Sequence, residues 1–469
     1  MKKVIVLLAL LLVLTCWGAN SQRDIDSLGV FFKTDLENSS TPYFKDFSFT
    51  EVPNPLSGKN PTYFIKDQEV PVCGKSFRDQ YFKTQITRVT EQKGIRHEYA
   101  RFDPFNADQS MILIHFPESG DFKAFRTETT PYESEANFVR IIDMEESRWD
   151  PDDPDVIWGT EDFSIFKINL KTGDRKAVKD FTKDSKIGPI IKAEPDLYRI
   201  TMKNEGETST DKRFWALALQ GSEEDYRLRY IFSWDRIEDR VLGVLKLSLA
   251  EAELIDWIGM SPKGTWVLIG GDSGEGKTAG LVIANKELTE FHQIAHATAH
   301  SDVGLDSEGK EIIVMQNTRT DHLDLLPLDP NTKPMPEESE DYEGTNLIPL
   351  MRLFYSSDSP DGFNCGIHVS CNCPGYCLIS TYIEPGIKEQ NWLDRSIVLV
   401  KLDRENPRVF YLAKVHNTTQ EYWEETQATI SNDGSKVVWA SNWNQNVGEE
   451  KLFLLQLDMP DDWTSLITK

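Results

Sequence analysis

The sequence predicts an all-β chain whose body is one seven-bladed β-propeller, and three observations carry that expectation. A turn-rich motif recurs seven times, each copy precedes a short run of β-branched and aromatic residues, and long amphipathic helical patterns are missing. The turns are Asn106-Ala107-Asp108, Pro151-Asp152-Asp153, Ser209-Thr210-Asp211, Ser261-Pro262-Lys263-Gly264, Asp306-Ser307-Glu308-Gly309, Asn372-Cys373-Pro374-Gly375 and Ser431-Asn432-Asp433-Gly434. They lie about 45 to 65 residues apart, the period of propeller blades, each of which is a small sheet that needs neighbours to bury its faces. Six or eight blades are also compatible, because the stretch from Val30 to Thr84 either completes a blade or sits outside the ring.

Taken in order, the turns introduce strand-like runs at Met111 to Phe116, Val156 to Trp158, Phe214 to Leu219, Trp266 to Ile269, Ile312 to Met315, Leu378 to Tyr382 and Val437 to Ala440. Partner strands are visible at Ser164 to Leu170, before the Lys171-Thr172-Gly173 turn, and at Lys451 to Leu457. Residues 1–19 read as an export signal: Lys2 and Lys3, an apolar run from Val4 to Leu14, then Cys16, Gly18 and Ala19. A lipoprotein anchor at Cys16 is the competing reading, disfavoured by Leu14 and Thr15, where small residues are preferred. No later stretch approaches the roughly 20 apolar residues of a membrane span. The expectation is a secreted or periplasmic monomer with residues 20–469 forming a single propeller domain, interrupted by an acidic, Pro-rich loop from Asn331 to Glu343.

The net charge of −25 argues against nucleic acid or an anionic membrane surface as partner, since both would be repelled. A polyanionic substrate would need a local basic cleft. Once Cys16 leaves with the signal, Cys73, Cys365, Cys371, Cys373 and Cys377 remain, an odd number that leaves one thiol free or bound to a metal.

Gly271-Asp272-Ser273-Gly274-Glu275-Gly276-Lys277-Thr278 matches the phosphate-cradling P-loop pattern. That loop must open a helix, whereas here the chain resumes as a strand from Ala279 to Ala284, so a hairpin loop is the better reading. The histidines are more informative. His300, Cys365 with His368, and His416 fall near the starts of successive late blades, whose inner strands converge on the central channel. Imidazoles and a thiolate brought together there suit zinc; separate buried histidines, with disulfides among Cys371, Cys373 and Cys377, are the alternative.

The early blades present a second constellation. His97 stands before one blade turn, and Tyr198 and Arg213 flank a later one. Facing one cleft, they would suit proton abstraction beside a carboxylate: the cationic groups offset charge as the carbanion becomes enolate-like, and Tyr198 or His97 moves the proton.

Several motifs together resemble the propeller polysaccharide lyases, nearest the ulvan lyases and more distantly the oligogalacturonate lyases. They are His97-x-Tyr99 leading to Asn106-Ala107-Asp108-x-Ser110, Glu205-Gly206-x-x-Ser209-x-Asp211-x-Arg213-Phe214-Trp215-Ala216, His368-x-Ser370 followed by Pro374-Gly375, and Trp439-Ala440-Ser441-Asn442-Trp443. The resemblance implies β-elimination on an acidic, uronate-containing polysaccharide. It gives catalytic roles to His97, Tyr198 and Arg213, with His115 a second histidine and Asn106 at the substrate. It also implies a structural metal on His300, His368 and His416, to which the reading of the residues adds Cys365, and no organic cofactor is called for. The His115 position and the cysteines around Asn372 depart from the family pattern. A non-catalytic envelope propeller that binds glycan or protein is the rival reading. A hydrolase would need a carboxylate pair, and none stands out.

Overall fold

Six of the seven turns close a hairpin between the first and second strand of one sheet, the Asn106–Asp108 turn joins an inner segment to the first strand of its sheet, and the seven sheets make a seven-bladed propeller. The computed structural model describes residues 47–222, 226–336, 341–355, 362, 366–445 and 447–468. Residues 1–19, expected to be an export signal, with their Cys16, and also Cys365, lie outside the described residues. The chain divides into two compact units, and the larger, Phe49–Trp463, holds all the strands. No described helix is long and apolar enough to cross a membrane.

Three short strands come first: β1 (Thr50–Glu51), β2 (Ser76–Arg78) and β3 (Gln85–Arg88). Blade 1 has β4 (Met111–Phe116), β5 (Asp121–Arg126) and β6 (Phe138–Ile142). Its inner segment meets β4 only through the bridges Arg96–His115 and Phe105–Ile112. Blade 2 is β7 (Glu145–Trp149), β8 (Val156–Glu161), β9 (Ser164–Asn169) and β10 (Arg175–Asp180). Blade 3 is β11 (Leu197–Thr201), β12 (Phe214–Gly221), β13 (Leu228–Asp235) and β14 (Arg240–Lys246). Blade 4 is β15 (Ile255–Met260), β16 (Val267–Gly271), β17 (Leu281–Ala284) and β18 (Phe291–Ala295), and the Gly271–Thr278 run lies in the hairpin loop between β16 and β17. Blade 5 is β19 (Ser301–Leu305), β20 (Glu311–Asn317), β21 (His322–Pro327) and β22 (Ile348–Arg352). Blade 6 is β23 (Gly366–Ser370), β24 (Tyr376–Tyr382), β25 (Ser396–Lys401) and β26 (Arg408–Lys414), and blade 7 is β27 (Thr429–Ile430), β28 (Lys436–Ser441) and β29 (Phe453–Asp458).

The ring closes where β3 pairs with β29, from Gln85 opposite Asp458 to Arg88 opposite Leu455. β2 then extends blade 7, and β1 adds a fifth strand to blade 6. The region before Thr84 therefore contributes edge strands to two blades. Middle strands are covered on both faces by neighbouring blades, and so they read as unbroken apolar runs such as Phe214 to Leu219. Between blades 2 and 3, Trp158, Phe181, Trp215, Phe232 and Trp234 pack into one cluster.

The turns share one design. Ser209, Ser261 and Ser431 each accept, through the hydroxyl, the backbone N–H five residues on, and Asn106 does the same through its side-chain oxygen. Three residues after the first turn residue the backbone goes left-handed, at Gln109, Lys212, Gly264, Gly309, Gly375 and Gly434. Glycine tolerates that conformation without strain.

Acidic side chains strap neighbouring inner strands together, and burial raises the pKa of two of them, Asp103 and Asp302, to about 8. Asp302 accepts from the N–H of Cys371 at 2.6 Å, joining blades 5 and 6. Asp103 accepts from the N–H of Asn432 at 2.7 Å, joining blades 1 and 7. Glu146 accepts from the N–H groups of Met202 and Asn204 at 2.8 and 2.7 Å, joining blades 2 and 3.

Two of the turn glycines test this account. A Cβ at Gly264 would stand 2.3 Å from the Phe214 ring, whereas one at Gly309 meets nothing within 4 Å. Gly309→Ala is expected to cost about 1 kcal/mol from the left-handed backbone alone, and Gly264→Ala roughly twice that or more. Denaturant melts of the two variants measure the gap.

Candidate active site

Inner strands of a propeller face one axis, so residues remote in sequence meet where those strands begin. At that end of the channel, opposite the turns, a cleft of about 1190 Å³ is lined by Arg96, Tyr99, Phe102, His115, Arg199, Lys203, Glu205, Tyr422 and Trp423 among others. A smaller recess beside it is bounded by Tyr99, Arg101, Glu205, Asp256, His300, Gln316 and Tyr422. The segment Glu421 to Gln427, which leads into β27, hangs over this mouth and supplies Tyr422, Trp423 and Glu425.

The titratable side chains crowd around His368. Its Nε2 lies 2.7 Å from Oε2 of Glu425. The His300 ring stands edge-on to it at 4.8 Å, and the Tyr99 ring at 5.5 Å. Tyr382 stacks on it at 5.9 Å and hydrogen-bonds to Glu425. The phenol groups of Tyr99 and Tyr422 are hydrogen-bonded to each other. With Glu425 ionised, His368 donates its Nε2–H, which leaves the lone pair on Nδ1; that atom is buried with no hydrogen-bond partner among the described residues.

Arg101 is the cation of this group. It is 5 % exposed, donates Nη2 to Ser301 Oγ at 3.1 Å and Nη1 to the Glu205 carbonyl at 3.2 Å, and lies 4.8 Å from the Trp257 ring. Burial, with a smaller contribution from the Arg101 charge, holds the His368 pKa down to about 3. His300 is lowered to about 3 by burial first, then by His368, against a raising influence of Glu425. Both imidazoles are therefore neutral at pH 7. Burial pushes the Tyr99 phenol well above its ordinary value and also raises the Glu425 carboxyl.

The residues expected to act together do not meet. His97 is buried behind the cluster, with Nε2 on the Gln427 carbonyl, and burial lowers its pKa to about 4. Tyr198, at the start of β11, donates its hydroxyl to Gln220 at 3.2 Å and packs against Tyr226. Arg213 precedes β12 on the turn side of the ring, paired with Asp235 at 2.9 Å. Since Tyr198 sits beside Gln220 in the sheet, seven residues of strand, roughly 23 Å, separate it from Arg213. No common cleft can hold the pair. Asn106 is fully buried, with its side chain bonded to Met111, Ser110 and Pro154 as the scaffold of a turn, away from the mouth. His115 does line the mouth, stacked on Phe122 at 4.5 Å.

The zinc expectation needed His300, Cys365, His368 and His416 in one coordination sphere. His300 and His368 do meet. His416, however, lies in the long connector after β26, stacked on Trp443 at 4.3 Å, and is not in the mouth cluster. Cys365 is outside the described residues. Among the described residues no group of three or more His, Cys, Asp or Glu side chains is set to hold a metal ion, and Nε2 of His368 is taken by Glu425. The described side chains therefore do not fit a zinc centre.

Arg101, Tyr99, Tyr422, Tyr382 and Glu425 are the members that sequence reasoning missed. Tyr99 and Arg101 are two and four residues beyond His97, and Glu425 belongs to the aromatic, acidic run Glu421-Tyr422-Trp423-Glu424-Glu425 just before the last inner strand.

No protein-family model matches the sequence, and no curated protein matches it. Among solved structures, the fold is similar to an oligogalacturonate lyase in complex with manganese, with a TM-score of 0.50 and 12% identity over 84% of this chain and 98% of that one. A second oligogalacturonate lyase, from Vibrio parahaemolyticus, gives a TM-score of 0.50 and 11% identity over 83% of this chain and 97% of that one. The likeness is one of fold.

The burial of His97 has a consequence that can be measured. Its folded pKa, about 4, lies below the ordinary 6.5, so between those values the unfolded chain binds the extra proton and stability rises with pH. Acidifying from 6.5 to 4 should therefore cost the wild type more than a His97→Gln variant, by on the order of 3 kcal/mol. Paired denaturant melts across that range read the difference, and parallel curves would mean that His97 is solvated.

Proposed function

We propose that the protein is a carbon–oxygen lyase that cleaves a uronate-containing glycan by β-elimination at the channel mouth. The observation that carries the reading is the gathering of a buried guanidinium, two neutral imidazoles and a hydrogen-bonded tyrosine pair at one opening. The oligogalacturonate lyase folds support it as an analogy of architecture.

In this reading Arg101 binds the uronate carboxylate and offsets the charge that develops as C5 is deprotonated. The neutral imidazole of His300, which bounds the recess, accepts the C5 proton, with the fully buried His368 behind it. The C4–O bond breaks as the C4–C5 double bond forms, and the Tyr99–Tyr422 pair delivers a proton to the departing oxygen. Because burial makes both imidazoles weak bases at rest, the acidification of C5 by Arg101 has to supply much of the rate. Trp423, 39% exposed, has the Arg96 guanidinium 3.7 Å from its ring centroid and lines the cleft, where its indole can lie against a pyranose ring.

The cleft wall also limits the substrate. Its described lining includes eight Asp and Glu side chains against three Lys and Arg. A long polyanion is repelled by such a wall, and a short or sparsely charged glycan much less so. This favours oligosaccharides over intact ulvan or polygalacturonate, in a protein that we take to be exported.

The test is an ultraviolet assay for unsaturated product on galacturonate oligomers, polygalacturonate, ulvan oligomers and ulvan. Arg101→Ala and His300→Ala, checked for folding by circular dichroism, are expected to lose about 10²-fold or more in kcat/KM. Trp423→Ala should mainly raise KM, by about 3- to 10-fold. Absence of product from every substrate with folded protein would defeat the lyase reading. For a charged polymer, kcat/KM should rise with salt as the repulsion is screened; a fall would show that the cleft attracts polyanions.

A further inference from the structure

We propose that Cys371 and Cys377 form a disulfide, a covalent modification site that staples the inner hairpin of blade 6. Cys371 directly follows β23 and Cys377 lies in β24, and the sheet register sets Ser370 opposite Leu378. One step along that ladder places Cys371 opposite Cys377 across the turn Asn372 to Tyr376. Opposed residues of antiparallel strands have Cα atoms about 4.5 to 5.5 Å apart, within the span of about 4.4 to 6.8 Å that a disulfide bridges. The side chains also face one another, because the two thiols are in hydrogen-bond contact. Both are reduced and buried in this structure.

The other described cysteines are placed elsewhere. The Cys373 sulfur lies beside Gly434 of blade 7, near enough that a Cβ on that glycine would come within 2.9 Å of it. Cys73 sits among Arg88, Glu91 and Glu133, next to β3. Among the described cysteines the hairpin thus holds one pair, with Cys73 and Cys373 outside it.

The position gives the bond a structural effect. Cys371 lines the channel, and its N–H is the donor that Asp302 holds across the blade boundary. β23 also carries His368. A link to β24 would fix the end of this strand three residues from the imidazole.

Formation requires an oxidant, here a small-molecule disulfide. Cys371–SH and Cys377–SH react with R–S–S–R to give the Cys371–Cys377 bond and two R–SH; two electrons pass to the reagent and the two thiol protons go to the released thiols. Both sulfurs are covered in the closed blade, so the exchange takes place before the ring is complete, and the finished bond is shielded from reductant.

The experiment refolds the full chain in a glutathione and glutathione disulfide buffer, or in reductant, then alkylates free thiols in denaturant and maps the peptides by mass spectrometry. The tryptic peptide from Leu353 to Lys388 carries Cys365, Cys371, Cys373 and Cys377. After oxidative refolding it should contain the Cys371–Cys377 link, be lighter by two hydrogens than the unmodified sequence apart from the added alkyl groups, and be alkylated at Cys373. The bond should persist when the native protein is incubated with dithiothreitol and open when denaturant is added. Cys373→Ser should keep the link, and Cys371→Ser and Cys377→Ser should each abolish it. Complete alkylation of Cys371 and Cys377 after oxidative refolding, or a link from either to Cys73, Cys365 or Cys373, would overturn the assignment. The wild-type map decides by itself should a variant fail to fold.

Discussion

Backbone hydrogen bonds between Gln85–Arg88 and Phe453–Asp458 close the ring, and the rest of the architecture depends on them. A propeller blade is a small sheet with too little buried area of its own, so each borrows its core from the next. Without closure the first and last blades would each present a bare face, and the last sheet a bare edge. The two extra strands, Thr50–Glu51 on blade 6 and Ser76–Arg78 on blade 7, extend the sheets on both sides of the blade 6 to blade 7 boundary. The inner strands are then held in register around one axis, and only in that state do His300, His368 and Arg101, drawn from three blades, share a site.

The site itself is dominated by desolvation. Arg101 keeps its charge while nearly buried because a serine hydroxyl, a backbone carbonyl, a carboxylate and an indole face surround it. The histidines beside it are neutral for the same reason, since a second buried cation would face both the low-dielectric surroundings and the guanidinium. Arg101 is thus a fixed cation already paired with Glu205, 3.4 Å away, so an incoming carboxylate would have to share the guanidinium with that acid or displace it.

Much of the fold was legible in the sequence. The second strands were visible because burial on two faces writes them as apolar runs, and the turns because Ser, Asn, Asp and Gly at fixed offsets are what a left-handed hairpin closure requires. The inner strands were not, since they are short and rich in polar residues, as in Glu145–Trp149 and Thr429–Ile430. The site sits on those strands and on the loops that lead into them, where no periodicity reports on direction. Tyr198 and Arg213 looked like neighbours because they flank a single turn, but the chain runs the full length of the inner strand between them. His416 looked like a member of the late-blade histidine set because the connector after β26 is long, and position in sequence does not reveal where a long connector folds. His300 and His368 were found by the same reasoning because each lies within or directly beside an inner strand.

The straps made by Asp103, Glu146 and Asp302 bear on how this surface can change. Each accepts backbone N–H groups from the adjoining blade, so part of the acidity around the channel is mechanical in purpose. A lineage or an engineer seeking to accommodate a strongly anionic polymer could not simply exchange these acids for lysine or arginine, because the new side chain would bring a donor to where a donor already points. Charge could be altered more freely at acids that hold no neighbouring backbone, such as Glu205 and Glu207, so acids lining one channel differ in how far each can be exchanged.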